Sequence, residues 1–275
     1  MFRAMDPKNR IAVVTGAAGG IGGALVRALL AAGARTVVAA DIDGDGVTGF
    51  AERVNGGGAG AVVPRQLDVA DEGATKALID EIEAAHGPID LWFANAGVGG
   101  GGSEQAPDDR WNFQWQVNLM SHVYAARALV PGWVARGEGH LVTTASMAGI
   151  LTSLGDGVYA ATKHAAVGFA EWMAITYAGQ GVRVSCICPG AVDTAMLRGG
   201  AGGDADKANA VIGGGGVLQP DDAAARVVAA VRDDTFLIYT HPEMQSFVVG
   251  KAQDTQRWIR GMTRLWARAQ ELLGS

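Results

Sequence analysis

Apolar residues in this chain fall in short runs, separated by longer stretches of helical periodicity. Ile11–Val14, Thr36–Ala40, Ala61–Gln66 and Ile89–Ala94 are too short for helices and read as buried strands. Between them a helical pattern follows the glycine-rich turn after Val14 and runs to about Ala32, closed by Gly33. A second spans about Gly46 to Val54 and ends in Gly56-Gly57-Gly58. A third, Glu72–Ala85, is stopped by Gly87-Pro88. The alternation continues with a largely helical Trp111–Ala135 in one or two pieces, a strand at His140–Thr144 and a long helix at Val158–Ala178. A strand at Val182–Ile187, a helix at Asp221–Arg232 and a last strand at Phe236–Tyr239 complete it. Ala191–Val217, rich in Gly and Ala, reads as a mobile loop with one short helix. Short buried strands alternating with helices require a parallel sheet covered on both faces. The expected fold class is therefore α/β: a Rossmann-like, doubly wound, seven-stranded and mainly parallel sheet with helices on both faces. It forms one domain over 1-275, with 241-275 as a C-terminal helical tail.

From Asp254 the tail is amphipathic. Trp258, Met262, Leu265, Trp266, Ala269 and Leu272 share one face, and Arg257, Arg260, Arg264 and Arg268 line a separate stripe. Such a helix can lie on an anionic bilayer. Docking on the protein itself or on a neighbouring subunit is the expectation, because the rest of the domain is acidic and offers partners for the arginines.

Composition narrows the function classes. With 275 residues, 49% of them hydrophobic, the chain can bury one large core. The net charge of −6 argues against a general nucleic-acid binder. Residues 1–10 hold no apolar signal core, and no long uncharged apolar run occurs, so neither secretion nor a membrane span is expected and the cytoplasm is the default compartment. The two cysteines, Cys186 and Cys188, sit in an apolar strand and read as small core residues.

Two local patterns carry chemistry. Tyr159 and Lys163, four apart, lie one turn from each other on a helix. A free phenol titrates near ~10 and is a poor base at neutral pH, whereas a nearby ammonium favours the phenolate. Tyr159 could then exchange a proton with a substrate hydroxyl. The second pattern is the glycine loop Thr15-Gly16-Ala17-Ala18-Gly19-Gly20-Ile21-Gly22, between the first strand and its helix. There the backbone can approach a pyrophosphate, and the helix N-terminus offers free N–H groups. Asp41, at the end of the second strand, can accept from an adenosine ribose and would repel a 2′-phosphate. No Arg or Lys stands in Ala17-Ala18 or just after Asp41, so NAD is expected over NADP, with Ile42 as a further cofactor-binding residue.

These residues resemble the short-chain dehydrogenase/reductase family, over roughly Arg10 to Tyr239. Thr15-Gly16 with Gly20 and Gly22 is similar to its T-G-x-x-x-G-x-G loop, and Asp68-Val69 resembles its adenine-contacting pair. Asn95-Ala96-Gly97 resembles its N-N-A-G segment, with Ala94 in place of the first Asn. Asn118 falls where the family has an active-site Asn. Ser146 has the family spacing to Tyr159, which prefers it to Thr143 and Thr144. Pro189-Gly190 with Val192 and Thr194 resembles the segment at the nicotinamide. The resemblance implies hydride transfer between NAD and a carbinol carbon, with Tyr159 as acid–base, Lys163 holding the nicotinamide ribose and favouring the phenolate, and Ser146 orienting the substrate oxygen. Asn118 is implied to place a water in a proton relay. Val98, Met147, Leu151, Leu154, Val158 and Met196 are the expected pocket residues. Their apolar character implies a hydrophobic secondary alcohol or ketone. The resemblance also implies a homotetramer or homodimer built on Asn118–Ala135 and Val158–Ala178. Two other readings remain open: an NAD-binding sensor or scaffold without turnover, and a sugar-nucleotide epimerase or dehydratase. The complete Ser146, Tyr159, Lys163 set weighs against the first, and the missing large C-terminal substrate domain against the second.

Overall fold

The computed structural model describes residues 5–56, 61–100, 102–200 and 216–273. Seven strands form one sheet in the order β3-β2-β1-β4-β5-β6-β7, every neighbouring pair parallel. They are β1 (Ile11–Thr15), β2 (Thr36–Asp41), β3 (Ala61–Gln66), β4 (Leu91–Ala94), β5 (Gly139–Thr144), β6 (Val182–Cys188) and β7 (Leu237–Tyr239). The central strands are buried on both faces, which is why they read as unbroken apolar runs rather than alternating ones. Pro64 cannot donate to a ladder, and it sits in β3 at the sheet edge, where one side needs no partner.

Side-chain alternation splits the core in two. Ile11, Val13, Trp92 and Leu141 face one way, with α3 (Glu72–His86), α5 (Ser121–Arg136) and α6 (Gly157–Tyr177). Ala12, Val14, Phe93 and Val142 face the other way, with α1 (Gly20–Ala31), α2 (Gly44–Asn55) and α8 (Pro220–Arg232). Three layers result, as the pattern requires. Because chain order reverses direction between β1 and β4, a crevice opens at their C-terminal ends, where such sheets bind ligands.

The helical stretch expected over Trp111–Ala135 begins earlier and contains an irregularity. Helix α4 (Asp108–Trp115) passes through a π-helical turn, Gln116–Met120, into α5. Single π turns occur mostly at functional sites, and this one carries Asn118. The short α7 is Ala195–Gly200; the rest of the expected loop, 201–215, lies outside the described residues, as do Gly57 and Gly58. The tail forms α9 (Gln245–Gln253), which its weak periodicity does not announce, and α10 (Thr255–Leu273), capped by Asp254, whose carboxylate accepts from the Arg257 N–H at 2.8 Å. Both cysteines are fully buried, with sulfurs 4.0 Å apart and no disulfide, as expected of core residues.

Two buried histidines make the fold acid-sensitive. His122 and His140 are held neutral by burial, with Lys163 adding to the effect on His122 and Arg183 on His140, and each titrates at about 3 instead of 6.5. Unfolding lets both bind protons below their ordinary value. Stability is therefore retained above pH 6.5 and is lost as pH falls from 6.5 toward 3, by roughly 1.4 kcal/mol per histidine per pH unit. Urea unfolding at pH 7 and pH 5 measures this slope, and His140→Gln is expected to flatten it.

Candidate active site

The glycine loop is shaped for close approach. Gly16 has φ +67°, and a Cβ there would meet the Ala96 backbone at 2.9 Å. A Cβ on Gly22 would lie 2.0 Å from the Gly16 carbonyl oxygen, so only glycine permits the loop to fold back on the first turn of α1. That turn begins at Gly19 without a side-chain cap, whereas α2, α3 and α6 are capped by Asp43, Asp71 and Asp156. An open groove of about 590 Å³ flanks the loop, bordered by Ala18, Gly19, Arg27, Phe50 and Arg53. A glycine cradle joined to an uncapped helix N-terminus fits a dinucleotide pyrophosphate.

Asp41 stands beside this cradle. Its carboxylate accepts from the Ala18 N–H at 2.9 Å and from the Asp43 N–H at 3.1 Å, joining the end of β2 to the loop. Ile42 next to it is 64% exposed, an apolar surface free for a flat ring. Asp68 accepts from the Ala70 N–H at 2.9 Å; Asp71, not Asp68, caps the helix that follows. Val69 packs at the margin of the core.

Thr15 ties the loop to β4. Its hydroxyl accepts the Asn95 and Ala96 N–H groups, each at 3.0 Å, while the Asn95 amide donates to the Thr15 carbonyl at 3.0 Å. Thr144, from β5, donates to Asn95 Oδ1 at 3.3 Å. Cradle, Asn95-Ala96-Gly97 segment and β5 thus form one bonded unit. Thr194 reaches over the cradle: a Cβ on Gly20 would be 3.2 Å from its methyl group. Val192 pairs with Leu218 in an isolated bridge, and the Gly190 N–H donates to His241 Nδ1 at 3.3 Å, which holds the segment after Pro189 under the crevice.

On the other side of the crevice, Ser146 follows β5 and Tyr159 and Lys163 lie on α6. The Ser146 hydroxyl accepts from the Ala148 N–H at 3.0 Å and lies 3.5 Å from the Pro189 carbonyl. Lys163 is buried, donates to the Thr144 carbonyl at 2.9 Å, and sits 5.6 Å from the centre of the Tyr159 ring. Burial lowers its pKa to about 8, offset in part by Cys186 and Cys188 beneath it. Gly97 lies against this group: a Cβ there would be 3.2 Å from Lys163 Nζ and 3.3 Å from Asn118 Oδ1.

The expectation that Lys163 draws the phenol downward is not met within the protein alone. Desolvation raises the Tyr159 pKa, Asp156 raises it further by its charge, and a hydrogen bond from Ser146 opposes both. The ammonium donates to the Thr144 carbonyl and lies 5.6 Å from the centre of the Tyr159 ring, and its charge is not among the influences on the phenol.

Asn118 is fully buried on the π turn. Its Oδ1 accepts from the Val98 N–H at 2.9 Å, and its amide donates to the Val98 carbonyl at 2.9 Å and to Thr162 at 3.1 Å. The observed work of Asn118 is to fix the loop after β4, which leaves one lone pair of its oxygen for any relay. Among the expected pocket residues, Met147 and Val158 are buried, at 3% and 0% exposure, and Met147 belongs to the core. Val98, Leu151 and Leu154 are partly exposed, and Met196 is 47% exposed. A Cβ on Gly99 would touch both Met196 and Tyr159, at 3.7 and 3.8 Å, so these two side chains meet at the same point of the loop.

A family model described as short chain dehydrogenase matches residues 10–201. The chain belongs to the short-chain dehydrogenase family. This short-chain dehydrogenase is 39% identical to 1-deoxy-11-beta-hydroxypentalenate dehydrogenase of Streptomyces avermitilis over 90% of each chain. It is 34% identical to meso-2,3-butanediol dehydrogenase of Serratia marcescens, covering 84% of this chain and 90% of that one. A short-chain dehydrogenase/reductase from Burkholderia phymatum, solved in complex with NAD, superposes with a TM-score of 0.82 at 27% identity, covering 92% and 96% of the two chains. The protein is thus an oxidoreductase of a family whose named relatives are dehydrogenases of hydroxyl-bearing compounds.

Sequence reasoning missed Asp156. It began the helix at Val158, although an Asp directly before a helical run is an N-cap signature.

Proposed function

We propose that the chain is an NAD-dependent dehydrogenase that converts an apolar secondary alcohol to its ketone, or the reverse, with Tyr159 as acid–base. The observation that carries this reading is the placement of Tyr159, Ser146 and Lys163 together at the C-terminal edge of the sheet, across from the glycine cradle. A bound nicotinamide would supply the hydride acceptor for the carbinol carbon. Tyr159 takes the hydroxyl proton as phenolate and returns it as phenol in the reverse direction. Ser146 donates to the substrate oxygen and, through its hydrogen bond, favours the phenolate. Lys163, mainly protonated at neutral pH, adds positive charge and fixes the Thr144 end of β5. Gly16, Gly20, Ile21 and Gly22 would hold the pyrophosphate, Asp41 the adenosine ribose, and Asp68 and Val69 the adenine side. Asn95, Ala96, Gly97, Pro189, Gly190, Val192 and Thr194 would hold the nicotinamide end.

The two curated relatives name different alcohols, so reaction type is the shared property and substrate is not. The apolar side chains of Val98, Leu151, Leu154 and Met196 suit a hydrocarbon-rich substrate. Following reduced-nicotinamide absorbance with NAD⁺ and a panel of secondary alcohols tests the reading; no turnover of any member in either direction would overturn it.

NAD is preferred because the Asp41 carboxylate borders the cradle where a 2′-phosphate would bring like charge. Wild type is expected to favour NAD over NADP in kcat/KM by at least ~10-fold, and Asp41→Ala to narrow that ratio. A like charge removed at close range is worth ~1–3 kcal/mol, or roughly 5- to 150-fold. Equal use of both cofactors by wild type would show that the carboxylate does not select.

Assembly through α5 and α6 is part of the proposal. Trp172 and Ile175 on α6 are 54% and 75% exposed, and Trp172 stacks on Phe169 and meets Tyr177 edge to face. An exposed aromatic face of this kind suits a subunit contact, which sedimentation measures directly.

A further inference from the structure

Asp156 does more than begin a helix. One carboxylate oxygen accepts from the Tyr159 N–H at 3.0 Å and from the Gly102 N–H at 3.2 Å; the other accepts from the Gly100 N–H at 2.9 Å. The contact is returned by backbone, since the Gly157 and Val158 N–H groups donate to the Gly102 carbonyl at 2.9 and 3.3 Å. A single side chain therefore caps the helix that carries Tyr159 and grips the glycine-rich loop after β4. That loop starts at Gly97 against Lys163, is pinned at Val98 by Asn118, and passes Gly99, which lies against Tyr159 and Met196. Glycine at 100 and 102 has positive φ, +73° and +95°, so no side chain of the loop itself holds its course there.

We propose that Asp156 is a positioning residue of the dehydrogenase, stapling Gly100 and Gly102 of the loop beside the substrate site to the N-terminus of the catalytic helix so that Tyr159 and the bound alcohol keep register. A carboxylate is suited to this because it offers several acceptor sites, whereas a neutral cap offers fewer. Its charge also bears on the reaction by opposing ionisation of Tyr159. Helix α6 itself also carries Lys163, His164 and Glu171, and Arg110 on α4 donates to the Gly100 carbonyl at 3.3 Å. Lys251 on α9 donates to the Ile150 and Leu151 carbonyls, and the neutral His122 lies on α5. Among the influences on the phenol, the Asp156 charge is the one that opposes ionisation beside desolvation.

The inference rests on the proposed dehydrogenase chemistry, and Asp156→Ser separates its parts. Serine still caps a helix but has one oxygen and no charge, so the cap survives and the staple is cut. Asp156→Asn, which keeps one acceptor oxygen without the charge, is the second variant. Both are expected to keep cooperative unfolding and NAD affinity within ~3-fold of wild type. Both should lose kcat/KM for the alcohol by ~10- to 100-fold, the cost of misplacing reacting groups by about an ångström. The acid limb of kcat/KM should also move to lower pH, because the negative charge that raised the phenol is gone; a purely structural cap would not move it. Amide hydrogen exchange at Gly100 and Gly102 should quicken in Asp156→Ser, and this readout needs no turnover. An inactive wild type would sink the dehydrogenase reading while exchange still decides the staple. Wild-type exchange at these two glycines, or an unmoved pH limb with unchanged kcat/KM, would overturn the inference.

Discussion

Tyr159→Phe is expected to abolish alcohol oxidation while leaving NAD binding nearly intact. The substitution removes one oxygen and keeps the ring that packs beside Gly99 and Lys163. Its three described polar neighbours at the site cannot take over. Lys163 is committed to the Thr144 carbonyl, Ser146 is a hydroxyl without a base of its own, and Asn118 does not titrate. General acid–base catalysis is worth ~10²–10⁴-fold, so residual turnover above about a tenth of wild type would remove Tyr159 from its role. The pH profile sharpens the test. Desolvation raises the phenol within the protein, so oxidation by wild type should climb with pH on the alkaline side of neutrality unless the positive nicotinium, once bound, offsets it. Measuring kcat and kcat/KM separately distinguishes these, because the first reports the loaded site and the second the free enzyme.

Removing residues 254–275 is expected to destabilise the protein and to raise the KM for its substrate. Helix α10 lies on its own chain: the Trp266 ring covers Gly155, where a Cβ would come within 2.9 Å of it. Trp258 stands under Lys251 Nζ at 4.9 Å, and Ala269 is buried. Lys251 in turn donates to the Ile150 and Leu151 carbonyls at 2.5 and 2.9 Å. The tail thus anchors the 150–155 segment that carries Leu151 and Leu154 and leads into α6. At ~25 cal/mol per Å², exposing the partly buried faces of two tryptophans and their neighbours costs a few kcal/mol, or several degrees in Tm. Unchanged Tm, assembly and KM in the truncated protein, with wild type sedimenting with anionic vesicles, would assign the helix to a membrane surface instead. The arginine stripe follows a different course from the expectation. Among the described residues, Arg257, Arg260, Arg264 and Arg268 make no ion pair, so apolar packing and the Lys251 clamp hold the helix rather than charge complementarity. Leu272, expected on the apolar face, has no described side chain.

The order of strands and helices was legible in the sequence because a sheet buried on both faces leaves an unbroken apolar run, and β3 was placed to the residue. The glycine loop and the Tyr159–Lys163 pair were legible because each is local: the first needs positive φ and close approach within a few residues, the second a single helical turn. What the chain order could not give was anything made by residues far apart. Asn118 was placed in a helix, but the π turn that presents it depends on Val98, twenty residues away in sequence. Met147 and Val158 look like pocket residues by position and are buried, because depth beneath the crevice is set by packing and not by adjacency to a motif. The direction of the Tyr159 shift was misjudged for the same reason. Spacing fixes that Lys163 is one turn away, whereas desolvation and the Asp156 charge are properties of the assembled site. Asp156 itself is an ordinary cap in sequence. Only the tertiary fold brings Gly100 and Gly102 to its carboxylate, because a parallel sheet gathers loops from distant parts of the chain at one edge.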